Sequence, residues 1–175
     1  MESVCFVVGG CCLPPMGNIS GRKGKTMELE KAKAIAEGLK ALLEPSCHRI
    51  EIAGSIRRQK PEVGDIELLC IPRFVDGIDW LDRMIMTLVT QGLLDYRLNK
   101  RGRRAYGQRN KLLVHLASGI GVDIFSTTPK CWWVALVVRT GGARTNKRIA
   151  MAAIQKGYRF HAYGSGQAGD RKQRR

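Results

Sequence analysis

The feature that most constrains this chain is the run AGSIRRQKPEVGDIELLCI at residues 53–71. It reads as the end of a strand, a glycine turn, a short basic helix and a second strand that opens on Asp65 and Glu67. Side chains two apart on a strand leave the same face, so these carboxylates project side by side and call for a cation. Gly54 and Ser55 let the backbone turn tightly and offer N–H groups and a hydroxyl to an anion, with the fixed charge of Arg57 and Arg58 beside them. One arm of the motif suits phosphate and the other suits metal. A Gly-Ser pair or an acid-x-acid strand alone usually marks a turn or a solvated strand face. Their junction is far more specific, provided that a third acid follows.

That third acid is Asp123, in the strand-like GVDIF, where Val122 and Ile124 face one way and Asp123 and Phe125 the other. A lone carboxylate in an apolar strand is costly to bury, and either a bound cation or an arginine partner removes the cost. The surrounding chain alternates helix and strand. From Met27, MELEKAKAIAEGLKALL places Leu29, Ala32, Ile35 or Ala36, Leu39 and Leu42 or Leu43 at helical spacing, and Pro45 ends the helix. Residues 48–53 alternate as a strand that delivers the chain into the Gly54 turn. Residues 79–91 form a helix with Trp80, Met84, Ile85 and Leu88 on its apolar face and Gly92 as its stop. This order fits a mixed sheet with helices on one side.

Residues 93–126 read as an antiparallel set: a strand over 94–98, a basic loop, then KLLVHLAS and IGVDIFST. Thr128 is placed to cap the next helix and Pro129 to open it. CWWVALVVR is apolar nearly all round, which predicts burial of Trp132 and Trp133 in the core. After RTGG, a further helix, ARTNKRIAMAAIQ, turns Ile149 and Ala153 inward and ends at Gly157, and YRFHAY adds a short strand.

Composition bounds the function. With 175 residues, 44% of them hydrophobic, the chain supports a compact core without staples, as one domain with a small second lobe. Lys and Arg outnumber Asp and Glu by 30 to 15, and a net charge of +15 favours a polyanionic partner. Between residues 97 and 111 lie seven basic side chains and no acid: Arg97, Lys100, Arg101, Arg103, Arg104, Arg109 and Lys111. They suit a phosphate backbone, with Tyr106 as a stacking residue, or else a hairpin kept soluble by charge. Cys5, Cys11, Cys12, Cys47, Cys70 and Cys131 show no C-x-x-C spacing and read as reduced thiols of a reducing, cytoplasmic compartment. The apolar run at residues 4–13 is too short for a membrane span and lacks a basic segment before it, so no membrane partner is expected.

The joined motif G-S-x-R-R and G-D-x-E resembles the signature of polymerase-beta-like nucleotidyltransferases, most closely the family X DNA polymerases. The likeness extends over VDIFST, the Trp-Trp helix, RTGG and NKRIAMAAIQKGY, from about residue 27 to residue 163. It implies an α/β (α+β) fold, a nucleotidyltransferase palm of mixed β-sheet backed by helices with a small helical C-terminal lobe. The implied division is a flexible leader (1–26), the palm (27–128), a truncated nucleotide-binding lobe (129–163) and a flexible basic tail (164–175). By motif, Asp65, Glu67 and Asp123 would be the catalytic acids and hold Mg²⁺, or Mn²⁺ in its place. Gly54, Ser55, Arg58 and Gly64 would bind the triphosphate, Thr140, Gly141 and Gly142 would lie under the sugar, and Asn146 would face the base.

The resemblance implies a Mg²⁺-dependent polymerase that adds nucleotides to a DNA 3′-hydroxyl in repair or gap filling, with DNA (primer or gapped duplex) and a nucleoside triphosphate as partners. Two other readings stand beside it: a template-independent or RNA- or protein-directed nucleotidyltransferase, and a catalytically weak nucleic-acid-binding protein. Glu67 stands where the family usually has Asp, and Arg139 where an aromatic pair commonly precedes the Thr-Gly turn, which leaves the choice between deoxy- and ribonucleotides open. The short lobe is expected to leave apolar surface on the helices of residues 132–138 and 149–154 uncovered, where a protein partner would fit.

Overall fold

The structure, a computed structural model, describes residues 26–99 and 101–158. The expected leader before Thr26, Lys100, the strand over YRFHAY apart from Tyr158, and the basic tail lie outside the described residues. In chain order the elements are β1 (Met27–Glu28), α1 (Leu29–Leu43), β2 (Cys47–Ile52), α2 (Gly54–Arg57), β3 (Glu62–Val63), β4 (Asp65–Pro72), β5 (Phe74–Val75), β6 (Ile78–Asp79), α3 (Trp80–Thr90), β7 (Leu94–Tyr96), β8 (Asn110–His115), β9 (Gly121–Ser126), α4 (Trp132–Thr140) and α5 (Ala143–Gln155).

Five strands form the main sheet in the order β2-β4-β9-β8-β7. β4 and β9 run parallel at its centre, and the other neighbours are antiparallel. The antiparallel set expected over residues 93–126 is therefore present, although β7 ends at Tyr96 rather than at residue 98.

One face of the sheet is closed by α1 and α3. Ala32, Ala36, Leu39 and Leu43 of α1 recur at helical spacing and are fully or almost fully buried, and they pack with Leu81, Ile85 and Leu88 of α3 over Ile66, Leu68, Cys70, Val122 and Ile124. Each buried Leu or Ile contributes about 1.5–3 kcal/mol. The inward pair left open by the sequence resolves to Ala36 and Leu43.

α1 begins at Leu29 rather than Met27, because Met27 and Glu28 pair with Val63 and Glu62 and the Leu29 amide donates to the Pro61 carbonyl at 3.0 Å. At the far end a 3₁₀ turn through Pro45 breaks the helix. α3 starts at Trp80, capped by the Asp79 carboxylate, which accepts from the Asp82 amide at 3.2 Å. Trp80 is exposed, and Leu81 takes the inward position expected for it. The hairpin of β5 and β6 turns through Asp76 and Gly77, both at positive φ, and the Asp-Gly pair in the sequence is its signal.

The other face corrects the expectation of helices on one side only. Here α4 lies on the sheet, and Trp132, Ala135 and Leu136 pack against Leu69, Ile71 and Phe125. Trp132 is core, as expected, but Trp133 is 66% exposed. A helix on the outer side of a sheet buries only one stripe, however apolar its sequence, and the Arg49 guanidinium lies 4.4 Å from the Trp132 ring centroid and 5.1 Å from that of Trp133. Thr128 and Pro129 open a 3₁₀ turn, Pro129–Cys131, that leads into α4, and Thr128 makes no side-chain cap hydrogen bond there. Ile149 and Ala153 of α5 are half-buried, while Met151 and Ile154 are exposed, as are Trp133 and Val137 of α4. Cys47 and Cys70 are buried free thiols, and among the described residues no helix is long and apolar enough to cross a membrane.

Candidate active site

The period of two along β4 and β9 decides what the α4 face presents. Asp65, Glu67, Leu69 and Ile71 share that face of β4, and Asp123 and Phe125 share it on β9. α4 covers the apolar half, Leu69, Ile71 and Phe125, and leaves the acids at the strand beginnings only partly buried. The parallel register sets Glu67 directly against Asp123, and Asp65 against Gly121. Three carboxylates thus meet on one uncovered half-face.

The glycine turn is stitched to the same strand. The Ala53 amide donates to the Glu67 carbonyl at 2.8 Å, and Gly54 follows at φ +60. A Cβ on Gly54 would fall 1.8 Å from Glu67 Oε2, so the longer acid is accommodated by the missing side chain at residue 54. Ser55 Oγ, next in the same turn, is buried without a hydrogen-bond partner. Gly64, just before Asp65, is exposed with open space around it.

Crowding like charges in a half-buried place shows in their proton affinities. Burial, then the charges of Asp65 and Asp123, push Glu67 up to about 7, while Arg139 and Arg58 oppose the rise. Burial pushes Asp123 up to about 6 against the pull of Arg97. Arg97 Nη2 donates to Asp123 Oδ1 at 2.6 Å, so the arginine partner left open by the sequence is present.

Three carboxylates offer the hard oxygen donors that Mg²⁺ or Mn²⁺ takes, on a face where their repulsion favours a cation. In donor chemistry they fit such an ion. They are not gathered around one point, however, and among the described residues no three His, Cys, Asp or Glu side chains are close enough to hold a metal ion together. Asp123 is turned to Arg97, and Glu67 lies over Gly54.

The remaining expected nucleotide contacts sit where α4 meets α5. Arg58 Nη1 donates to the Thr140 carbonyl and so ties the glycine turn to the end of α4. Asn146 Nδ2 donates to the carbonyls of Val138 at 2.7 Å and Gly141 at 3.3 Å, while its Oδ1 and the Thr140 hydroxyl are buried without partners. Gly141 is needed there, since its Cβ would meet Asn146 Oδ1 at 2.4 Å, and Gly142 caps α5. Arg139, whose guanidinium lies 3.5 Å from the Phe125 ring centroid, also bears on the charges of Glu67 and Asp123. The sequence marks it only as a departure from the family pattern.

The basic run divides. Arg101, Arg103, Arg104 and Arg109 are exposed, and the turn at residues 99–103 is tied by Asn99 Oδ1, which accepts from the amides of Arg101 and Arg103. Lys111 leaves that surface: it is 1% exposed, donates to the Gln108 carbonyl and lies 3.8 Å from Asp79 Oδ2. Arg97 turns to the acids instead. The Tyr106 hydroxyl donates to Asp82 at 2.5 Å, and its ring meets Tyr96 edge-on.

Comparison with solved structures agrees with this architecture. The polymerase beta of Leishmania infantum in its ternary P/T complex superposes with a TM-score of 0.65 at 19% identity, covering 81% of this chain and 58% of that one. The same enzyme in its ternary gap complex gives 0.64 at 20% identity, covering 80% and 50%. The chain therefore has the fold of polymerase beta, a mixed sheet backed by helices, and spans about half the length of those chains. No protein-family model and no curated protein matches the sequence.

Proposed function

We propose that this chain is a nucleotidyltransferase that adds a nucleotide to a DNA 3′-hydroxyl. The observation that carries the reading is the in-register pair Glu67 and Asp123, with Asp65 two residues before Glu67, on the half-face that α4 leaves open beside the Gly54–Ser55 turn. The fold shared with polymerase beta supports it. Asp65, Glu67 and Asp123 would hold Mg²⁺ or Mn²⁺, which when bound lowers the pKa of the attacking hydroxyl and offsets phosphate charge. Ser55, whose hydroxyl lacks a partner, would donate to a phosphate oxygen, and Arg58 would add charge at the same end. Arg139 would face the phosphates or the sugar from the end of α4. Arg101, Arg103, Arg104 and Arg109 would grip the nucleic-acid backbone.

A second reading, a nucleic-acid-binding protein without transfer, is favoured by one observation: Asp123 is already paired with Arg97. The experiment that separates them incubates labelled primer alone, gapped duplex, RNA and protein with each dNTP or NTP and Mg²⁺. Incorporation on primer or gapped duplex, lost by about 10³-fold in Asp65→Asn and Asp123→Asn, is expected. Near wild-type transfer in either variant sinks the acid assignment. Transfer to RNA or protein alone moves the substrate, and DNA binding without any transfer supports the second reading.

A further inference from the structure

Arg97 stands immediately after β7 and is separated from Asp123 by a whole strand. Its amide donates to the Leu112 carbonyl on β8 at 3.0 Å, and Leu112 in turn lies opposite Asp123 on β9. To touch Asp123 the side chain must cross β8 and lie along β9. It has room because residue 121 is glycine: a Cβ there would fall 2.8 Å from Arg97 Nη1. Gly121 does not adopt positive φ, so the backbone does not require glycine, and a Cβ there would displace the guanidinium from its present seat.

Seated there, Arg97 donates Nη2 to Asp123 Oδ1 at 2.6 Å, with the two side chains only 34% and 13% exposed. This is a short, charge-assisted bond to a largely buried carboxylate. Among the described residues Asp65 and Glu67 have no ion-pair partner, so the acid that is held is the one on β9. The held acid is one of the three carboxylates that share the half-face without gathering around a point.

We propose that Arg97, seated on Gly121, is a positioning residue that holds Asp123 out of the cation site, so that a divalent ion and the guanidinium compete for the same carboxylate. The inference rests on the reading of Asp65, Glu67 and Asp123 as a cation site. Binding of the ion costs the Arg97–Asp123 bond, so affinity for the ion is lower than the three acids would otherwise confer. Loss of that bond raises it.

The test is titration of the full chain with Mn²⁺, followed by electron paramagnetic resonance of the free ion, for wild type, Arg97→Gln and Gly121→Ala, with a thermal melt of each to confirm folding. Arg97→Gln is expected to bind Mn²⁺ about tenfold more tightly, the equivalent of one charged hydrogen bond. Gly121→Ala keeps the charge of Arg97, disturbs its seat and adds only an ordinary contact to Asp65 Cβ, and a smaller gain in the same direction is expected. Unchanged or weaker binding in both folded variants, with clear binding by wild type, overturns the role of Arg97 and leaves the cation site standing. Absence of Mn²⁺ binding in wild type and in Arg97→Gln alike overturns both.

Discussion

The two faces of the central sheet are finished in different ways. On one, α1 and α3 cover every inward side chain from Ile66 to Cys70 on β4, and the cluster they form is continuous. On the other, α4 covers Leu69, Ile71 and Phe125 and stops, leaving Asp65, Glu67 and Asp123 at the open end. The closed face shows what the fold needs for stability, and the half-closed face shows what it retains at the expense of stability. Burial and the neighbouring acids raise the proton affinity of Glu67 and Asp123, so holding these carboxylates on a half-buried face opposes folding.

Perturbing both faces sharpens this contrast. The largest effect belongs to the closed face: Leu43→Ala, at a fully buried position, is expected to cost about 2–5 kcal/mol in chemical denaturation. A loss below about 1 kcal/mol, on the order of a surface substitution, would mean that the face is not closed as described.

Next comes the basic hairpin, the proposed grip for whatever polyanion reaches the open face. Replacing Arg101, Arg103 and Arg104 with Ala should lower the slope of log DNA affinity against log salt by about 2 to 3. An unchanged slope would show a hairpin that is merely solvated, and the open face would then lack its expected neighbour.

Glu67→Gln tests the open face directly, with chelator present. The folded carboxyl holds its proton up to about 7, against an ordinary value of 4.5. Between these values the native state binds more protons than the unfolded chain, so the stability of wild type falls as pH rises through that window. Gln carries no charge to bury. The variant should melt close to wild type below the window, gain on it progressively as pH rises, and hold a constant advantage above about 7. A difference that does not vary with pH would mean that Glu67 is ionised without strain and that this half-face is not frustrated.

The smallest effect is expected on α5. Ile154 is 69% exposed, and Ile154→Ala should change stability by no more than about 0.5 kcal/mol. A loss comparable to that of Leu43→Ala would show that Ile154 is covered in solution, which would point to a partner on the apolar surface shared with Trp133, Val137 and Met151.

Much of the closed face is legible in the sequence alone. The helix of Ala32, Leu39 and Leu43 follows from spacing, and so does the stop near Pro45. The alternation of Asp65 and Glu67 with Ile66 and Leu68 assigns the acids to one face and the apolar pair to the other. The same reasoning separates Asp123 from Val122 and Ile124. Trp133 departs from its expected burial because an all-round apolar helix is buried all round only if something lies on both its sides. Lys111 departs from the expected basic surface because nothing in a run of seven basic residues distinguishes the one that faces the core beside Asp79.

What the sequence by itself determined is therefore the set of features written within a single element: the 3.6-residue and two-residue periods, the Gly-Ser turn ahead of an acid strand, and the aspartate set between two β-branched residues. These depend on backbone geometry over a few residues, which every chain with that pattern shares. Only the tertiary structure decided that β9 lies beside β4 in a register that sets Asp123 against Glu67, that α4 covers one half of their face and not the other, and that Arg97 reaches across β8 to Asp123 over the notch at Gly121. Each of those choices joins segments distant in sequence, and it is settled by competition among many packings of similar local quality. No spacing within one segment records the outcome of that competition.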